Sequence, residues 1–99
     1  EGIFKNEERA FELFVKAARA GNPRSQYMVG YIHQSGVLDP DENSDSRNGY
    51  FWSAVALING FEKARMVMIN AARNLPDGQE SELIQLAQLC IDSNYTECS

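Results

Sequence analysis

Apolar residues in the first third of the chain recur with the spacing of amphipathic helices. Two sets of apolar residues recur at intervals of three or four positions, so each set would form the apolar face of one helix. The first set is Ala10, Leu13, Phe14, Ala17 and Ala18, and the second is Tyr27, Met28, Tyr31 and Ile32. Between the sets, Gly21 suits a left-handed helix end, Asn22 an N-cap and Pro23 a first helical position. The pattern predicts helices from about Asn6 to Ala20 and from about Pro23 to Ser35, folded back on each other.

Three more helices are predicted after an acidic loop. The segment from Arg47 to Asn59 is apolar nearly all round, as in helices that lie at the centre of a fold. A fourth helix is predicted from about Phe61 to Asn74. A Pro-Asp-Gly break precedes a fifth helix from about Gln79 to Ser93, for which Asp77 and Glu80 would form a capping box. We therefore expect an all-α fold.

The first helical hairpin recurs in the sequence at a shift of 39 residues. Four positions show the correspondence: Leu13 corresponds to Trp52, Ala17 to Ala56, Gly21 to Gly60, and Ser25 to Ala64. The order of one large apolar residue, one small residue, a glycine and another small residue is therefore kept. Repetition at such a period is typical of helical repeat proteins.

The first hairpin resembles a Sel1-like repeat, a relative of the tetratricopeptide repeat. The residues that match the family pattern are Ala17, Ala18, Gly21, Gly30, Tyr31 and Gly36, while Leu13, Ser25 and Val29 replace its usual aromatic residue, alanine and leucine. The second copy lacks the closing tyrosine and glycine. The resemblance implies two antiparallel helix-turn-helix repeats, about 7–36 and 47–74, stacked as a short α-solenoid. We expect a capping helix and tail at 77–99 to complete a single domain over 1–99.

The resemblance also implies a binding surface. In this family the first helix of each pair lines the concave face, and five apolar residues of this chain would lie there: Phe11, Val15, Tyr50, Phe51 and Val55. Aromatic side chains are frequent anchors at protein interfaces. For the residues of the third helix, the favoured interpretation is that they belong to the core. In the other interpretation, all five form an apolar strip that binds a partner protein.

The loop at 37–48 places oxygen-bearing side chains at alternate positions: Asp39, Asp41, Asn43 and Asp45. A calcium loop that starts at Asp39 would need glycine and glutamate where the chain has Ser44 and Tyr50. The preferred interpretation is a solvated acidic loop, in which Asp39, Asp41 and Asp45 contact basic residues of a partner. Calcium is kept as the alternative, and no metal site is predicted.

The two cysteines bear on the cellular compartment. Cys90 falls near the end of the fifth helix and Cys98 follows after a helix-ending sequence, so the tail can turn back and bridge them. A disulfide there would stabilise the fold by about 2.5 kcal/mol in the loop-entropy model and would indicate a periplasmic or secreted protein. The alternative is two free thiols in the cytosol. Because the sequence begins at Glu1 without methionine, we expect that an upstream segment has been removed.

Charge excludes some classes of partner. The 99 residues carry a formal net charge of −5, which disfavours binding to nucleic acid and to anionic lipid. The chain has no uninterrupted apolar run close to the ~20 residues that span a bilayer, so we expect no membrane insertion. An apolar content of 43% is that of an ordinary globular domain.

Catalysis and cofactor binding find little support in the sequence. His33 is the single histidine, and it is interpreted as a partly exposed helical side chain because no nucleophile-base-acid order accompanies it. We expect no catalytic residue and no cofactor. The resemblance points to a non-enzymatic protein-interaction module, such as an immunity protein that neutralises a secreted bacterial toxin, for example a phospholipase effector. The alternative is an adaptor or assembly component of the bacterial cell envelope, as a fragment of a longer repeat array.

Overall fold

Five helices make up the regular structure of the described residues in a computed structural model. The model describes the backbone of residues 2–39 and 44–98 and the side chains from residue 8 onward. The helices are α1 Gly2–Arg19, α2 Pro23–Ser35, α3 Ser46–Ile58, α4 Ala64–Ala72 and α5 Gln79–Asp92. The described residues include no strand, which confirms the all-α prediction for that part of the chain. None of their helices is both long and apolar enough to cross a bilayer.

The turn between α1 and α2 forms as its residues predict. The Asn22 side chain accepts the Ser25 N–H at 3.0 Å, and Pro23 opens the helix. Gly36 ends α2 in the left-handed region with φ 74°, where a residue without Cβ pays no steric cost. Local signals were sufficient at both ends of α2, and its bounds match the prediction.

Two helix starts and one helix cap differ from the prediction. The first helix begins at Gly2 and not near Asn6. The fourth helix begins at Ala64 and not near Phe61, because the chain first makes a tight turn in which the Ala64 N–H donates to the Phe61 carbonyl at 3.1 Å. The N-cap of α5 is Gly78 with φ 89°, and no side chain caps this helix. The expected capping box of Asp77 and Glu80 is therefore wrong. The negative charge of Glu80 still interacts favourably with the partial positive charge at the N-terminal end of the helix.

The central element is α3, as its apolar sequence predicts. It packs against α2, α4 and α5. The approach to α2 is close, because a Cβ at Gly30 would collide with Ser53 Oγ and lie 3.0 Å from the Gly49 carbonyl oxygen. Eight of its residues are buried: Gly49, Tyr50, Phe51, Trp52, Ser53, Ala54, Val55 and Ala56. Five of these belong to the hydrophobic core cluster: Tyr50, Phe51, Trp52, Ala54 and Val55.

Three helices, α1, α3 and α5, end in the same way. At each end, two consecutive backbone N–H groups donate to carbonyls three and five residues earlier, at 2.7–3.1 Å. The pairs of donors are Gly21 and Asn22, Gly60 and Phe61, and Asn94 and Tyr95. The first residue of each pair has positive φ, at 97°, 96° and 57°. This is the Schellman closure of a helix, and it recurs where the sequence aligned Gly21 with Gly60 and once more at Asn94.

A polar network joins these three helix ends. The side chain of Gln26 is fully buried; it donates to the Ala18 carbonyl at 3.0 Å and accepts from Asn59 at 2.9 Å. Asn59 also donates to the Tyr95 hydroxyl at 3.0 Å. The Tyr95 ring lies against Gly21, whose added Cβ would come within 3.1 Å of it. The tail is thus packed onto the turn between α1 and α2.

The two cysteines are joined, as the sequence predicts. The Cys90 and Cys98 sulfurs lie at bonding distance, and both residues are buried, with exposed fractions of 0% and 5%. Cys98 belongs to the core cluster together with residues of α3 and α5. The disulfide therefore anchors a tail that enters the core.

Candidate protein-binding site

Three residues of the predicted binding strip lie in the core. Tyr50 and Phe51 are each 5% exposed and Val55 is 0% exposed, because α3 is covered on several sides by other helices. Burial, with the charge of Glu80 as a smaller cause, raises the pKa of the Tyr50 hydroxyl. The interpretation as an exposed binding strip is corrected for these three residues. The favoured interpretation, that the rings of the third helix are core, describes this structure.

The two strip residues of α1 lie at the edge of the core. Phe11 and Val15 are half-buried and pack against the buried cluster. The Phe11 ring meets the His33 imidazole edge to face, with ring centroids 5.3 Å apart and planes at 89°. Phe11 is thus held in one orientation beside a polar side chain, and part of its surface remains accessible.

Asp45 connects the acidic loop to the end of α2. Its backbone N–H donates to the His33 carbonyl at 2.8 Å, and its carboxylate lies 3.8 Å from His33 Nδ1. The same carboxylate caps α3, since it accepts the Asn48 backbone N–H at 3.1 Å and side-chain amide at 2.9 Å. Asp45 keeps 46% of its side chain exposed. It is held in place by these bonds and still faces solvent.

The protonation states of this pair follow from its surroundings. Burial lowers the pKa of His33, and this effect outweighs the nearby Asp45 charge, which raises it. Burial alone would raise the pKa of Asp45, but the two hydrogen bonds from Asn48 and the charges of His33 and Arg47 bring that pKa below its usual value. Near neutral pH the site therefore holds a carboxylate beside an imidazole that favours its neutral form.

These residues line an open depression of about 310 Å³, which we call the acidic pocket. Its lining consists of Phe11, Ile32, His33, Gly36, Leu38, Asp39 and Asp45. The C-terminal end of α2 lies in this lining and adds partial negative charge from its last carbonyls. An aromatic face, two carboxylates and a helix C-terminus together suit a cationic side chain with an aliphatic stem.

The structure thus brings together three of the eight predicted partner-binding residues: Phe11, Asp39 and Asp45. Val15 is not part of the pocket lining. Asp41 lies outside the described residues, as do 40, 42 and 43, so the calcium hypothesis for the loop is not addressed there. Across the described residues, no group of three or more histidine, cysteine or acidic side chains could hold a metal ion.

His33 is the member of the site that the sequence did not reveal. The sequence interpretation took it as a partly exposed helical histidine, since no nucleophile-base-acid order accompanies it. Its acid partner comes instead from across the loop, and its ring partner from another helix. One local hint existed in the position of His33 just before the helix-ending Gly36.

Comparison of the chain with protein-family models, with curated proteins and with solved structures found no match.

Proposed function

We propose that this chain is a protein-interaction module that binds a basic surface of a partner protein through the acidic pocket. The observation that carries the proposal is the arrangement of Phe11, His33 and Asp45. In it, an exposed carboxylate is fixed by Asn48 and by the backbone of His33, next to an aromatic ring. A carboxylate that is already oriented loses little side-chain entropy when it pairs with a lysine or arginine.

The Sel1-like architecture is part of the same proposal. Its support is the recurrence of one helix closure at the ends of α1 and α3, where Gly21 and Gly60 stand in register with the repeat that the sequence predicts. Within this class, the immunity-protein role fits a small acidic chain that presents a charged pocket to a basic toxin, such as a phospholipase effector. A periplasmic or secreted location fits the Cys90–Cys98 pair, since disulfides persist in oxidising compartments.

A second candidate function, the adaptor or assembly component, is favoured by the outer face of α5. Ile84 and Leu89 on this helix are 42% and 47% exposed, whereas a helix that caps a repeat array normally presents a polar outer face. A stacked neighbour would bury these side chains. In this form of the proposal the chain organises other proteins of the bacterial envelope, and the acidic pocket is one of its contacts.

The test uses Asp45→Asn, because asparagine keeps one N-cap oxygen for α3 and removes the charge, at the loss of one hydrogen bond from the Asn48 side chain. The wild-type domain, kept oxidised, first captures its partner from an extract of the source organism. Association rates are then measured for the wild type and the variant. We expect Asp45→Asn to slow association several-fold at low salt and much less at high salt, because salt screens exposed charges.

The matched control is Asp92→Asn at the end of α5, which removes one exposed charge away from the acidic pocket. Equal slowing by both variants would mean that only net charge matters and would contradict the pocket. A single toxin-like partner supports neutralisation. Capture of several envelope proteins favours the assembly role.

A further inference from the structure

A second surface feature lies at the opposite end of α2 from the acidic pocket. A groove of about 350 Å³ runs between the start of α2 and the segment that leads into α4. Its lining, which defines the aromatic groove, is Arg24, Tyr27, Met28, Phe61 and Lys63. Neither the sequence interpretation nor the proposed function uses these residues.

The aromatic side chains of this region form a continuous row. The Tyr27 and Phe61 rings contact each other with centroids 5.1 Å apart, and Tyr31 stacks on Tyr27 with centroids 6.2 Å apart. Tyr31 is 51% exposed. A row of partly exposed tyrosine and phenylalanine with an arginine beside it has the composition of an interface hot spot.

Both charged residues of the lining are cations. Arg24 and Lys63 are exposed and form no ion pair with any other side chain in the described part of the chain. The neighbouring Glu62 is paired with Arg65 at 3.1 Å. In a chain of net charge −5, a groove lined by two cations is a local reversal of the overall sign.

Local stability does not account for these cations. Arg24 lies in the first turn of α2, and Lys63 occupies the N-cap of α4 and makes no capping hydrogen bond. Positive charge at a helix N-terminus is disfavoured by the helix dipole, and lysine is a poor N-cap. Residues that break a local rule without a structural gain are candidates for a binding role.

We propose that the aromatic groove binds an acidic segment of a partner protein, in which an aromatic or large aliphatic side chain is flanked by carboxylates. The apolar side chain packs against Tyr27, Met28 and Phe61, and the carboxylates pair with Arg24 and Lys63. Three of the five lining side chains are apolar or aromatic, a surface that an isolated phosphate would not use. The chain's negative charge also disfavours nucleic acid. This inference does not depend on the acidic pocket, which would take the opposite charge.

The probe is a fluorescein-labelled peptide with alternating glutamate and leucine around a central tryptophan, and binding is followed by fluorescence anisotropy at low salt. A peptide with glutamine in place of every glutamate tests the charge. We expect the glutamine peptide to bind about tenfold more weakly to the wild-type domain. The double variant R24Q/K63Q should lose affinity for the acidic peptide by a similar factor and should keep its affinity for the glutamine peptide.

Tyr27→Ala should weaken binding of both peptides about tenfold, since it removes the central ring of the row. Circular dichroism is used to check that this variant is folded. The charge variants keep the proposal testable if it is not folded, because Arg24 and Lys63 are exposed.

Two controls separate this site from others. R73Q removes an exposed cation at the C-cap of α4, outside the aromatic groove, and should leave binding unchanged. D45N removes a charge from the acidic pocket and should also leave peptide binding to the aromatic groove unchanged. A failure of this proposal can therefore be distinguished from a failure of the proposed function. Equal affinity for the two peptides, or equal losses in R73Q and R24Q/K63Q, would overturn the proposal. So would the absence of binding at the highest soluble peptide concentration.

Discussion

The Nδ1 atom of His33 lies 3.8 Å from a carboxylate oxygen of Asp45, although the two residues belong to different elements of the chain. The Phe11 ring also contacts the imidazole, with ring centroids 5.3 Å apart. Burial in this position disfavours the protonated form of His33 more than the Asp45 charge favours it. The pair therefore couples the stability of the α2 end and the charge of the acidic pocket to pH.

The first prediction concerns that pH dependence. The pKa of His33 is lower in the folded chain than its ordinary value of 6.5, so the unfolded chain binds more protons between the two values. The free energy of unfolding should therefore fall as the pH decreases through 6.5 toward the lower pKa of the folded state. Urea denaturation across this range measures it. His33→Gln should remove this part of the slope.

A nuclear magnetic resonance titration of the imidazole supplies the second readout. Asp45→Asn should lower the pKa of His33 further, because the carboxylate is the group that raises it. The contribution of Asp45 to the free energy of unfolding appears in a separate pH range. Its lowered pKa gives stability that is present above 3.8 and is lost as the pH falls below that value. A pKa of His33 above 6.5 in the wild-type protein would contradict the prediction.

The second prediction concerns the contact between α2 and α3. Gly30→Ala should destabilise the fold by about 2 kcal/mol, although alanine is the better helix former by about 1 kcal/mol. The added Cβ would collide with Ser53 Oγ and lie 3.0 Å from the Ser53 nitrogen, so the two helices must separate. Denaturant unfolding monitored by circular dichroism measures the loss.

A double-mutant cycle tests the cause of that loss. Ser53 Oγ is buried and has no hydrogen-bond partner within the described residues, so Ser53→Ala alone should cost little. In the Gly30→Ala background it should restore about 1 kcal/mol, because one of the colliding atoms is gone. Gly60→Ala is the contrasting case. It has φ 96° and open space around it, so it should cost about 1 kcal/mol through backbone strain alone. Strictly additive effects of Gly30→Ala and Ser53→Ala on the free energy of unfolding would exclude the steric explanation.

Local patterns in the sequence were sufficient for the helices and for the disulfide. The residues at 21–23 and Gly36 determine their own backbone conformations, so both ends of α2 could be predicted from short-range chemistry. The apolar character of α3 likewise predicted its central position, because a helix that is apolar on all sides needs neighbours on all sides. The Cys90–Cys98 bridge spans few residues and depends on one local turn.

The candidate site required information that periodicity does not contain. Whether Phe51 is a surface anchor or a core ring depends on how α5 and the tail pack on α3, and the sequence pattern is the same in both cases. His33 became part of a site only because the loop returns Asp45 to the end of α2. The cations Arg24 and Lys63 are likewise distant in sequence, and their shared groove depends on the packing of α2 beside the segment that leads into α4.

The third prediction concerns the tail. Replacing both Cys90 and Cys98 by alanine should lower the free energy of unfolding by about 3 kcal/mol. About 2.5 kcal/mol of this comes from the lost restriction on the unfolded chain, and the rest from the small cavities left in the core. Denaturant unfolding of the oxidised wild type and the double variant measures the difference. Reduced wild type is the matched comparison, since it keeps both sulfur atoms and lacks only the bond.

The tail should stay folded in the reduced protein under native conditions, because two contacts independent of the bond hold it. The Tyr95 N–H donates to the Cys90 carbonyl at 2.7 Å, and the Tyr95 hydroxyl accepts from Asn59 at 3.0 Å. Tyr95→Phe removes only the second contact and should cost about 1 kcal/mol in oxidised and reduced protein alike. Hydrogen exchange of the Tyr95 N–H gives the local readout, with protection retained after reduction. If reduction alone abolished that protection, the disulfide and not the Tyr95 contacts would hold the tail on the core.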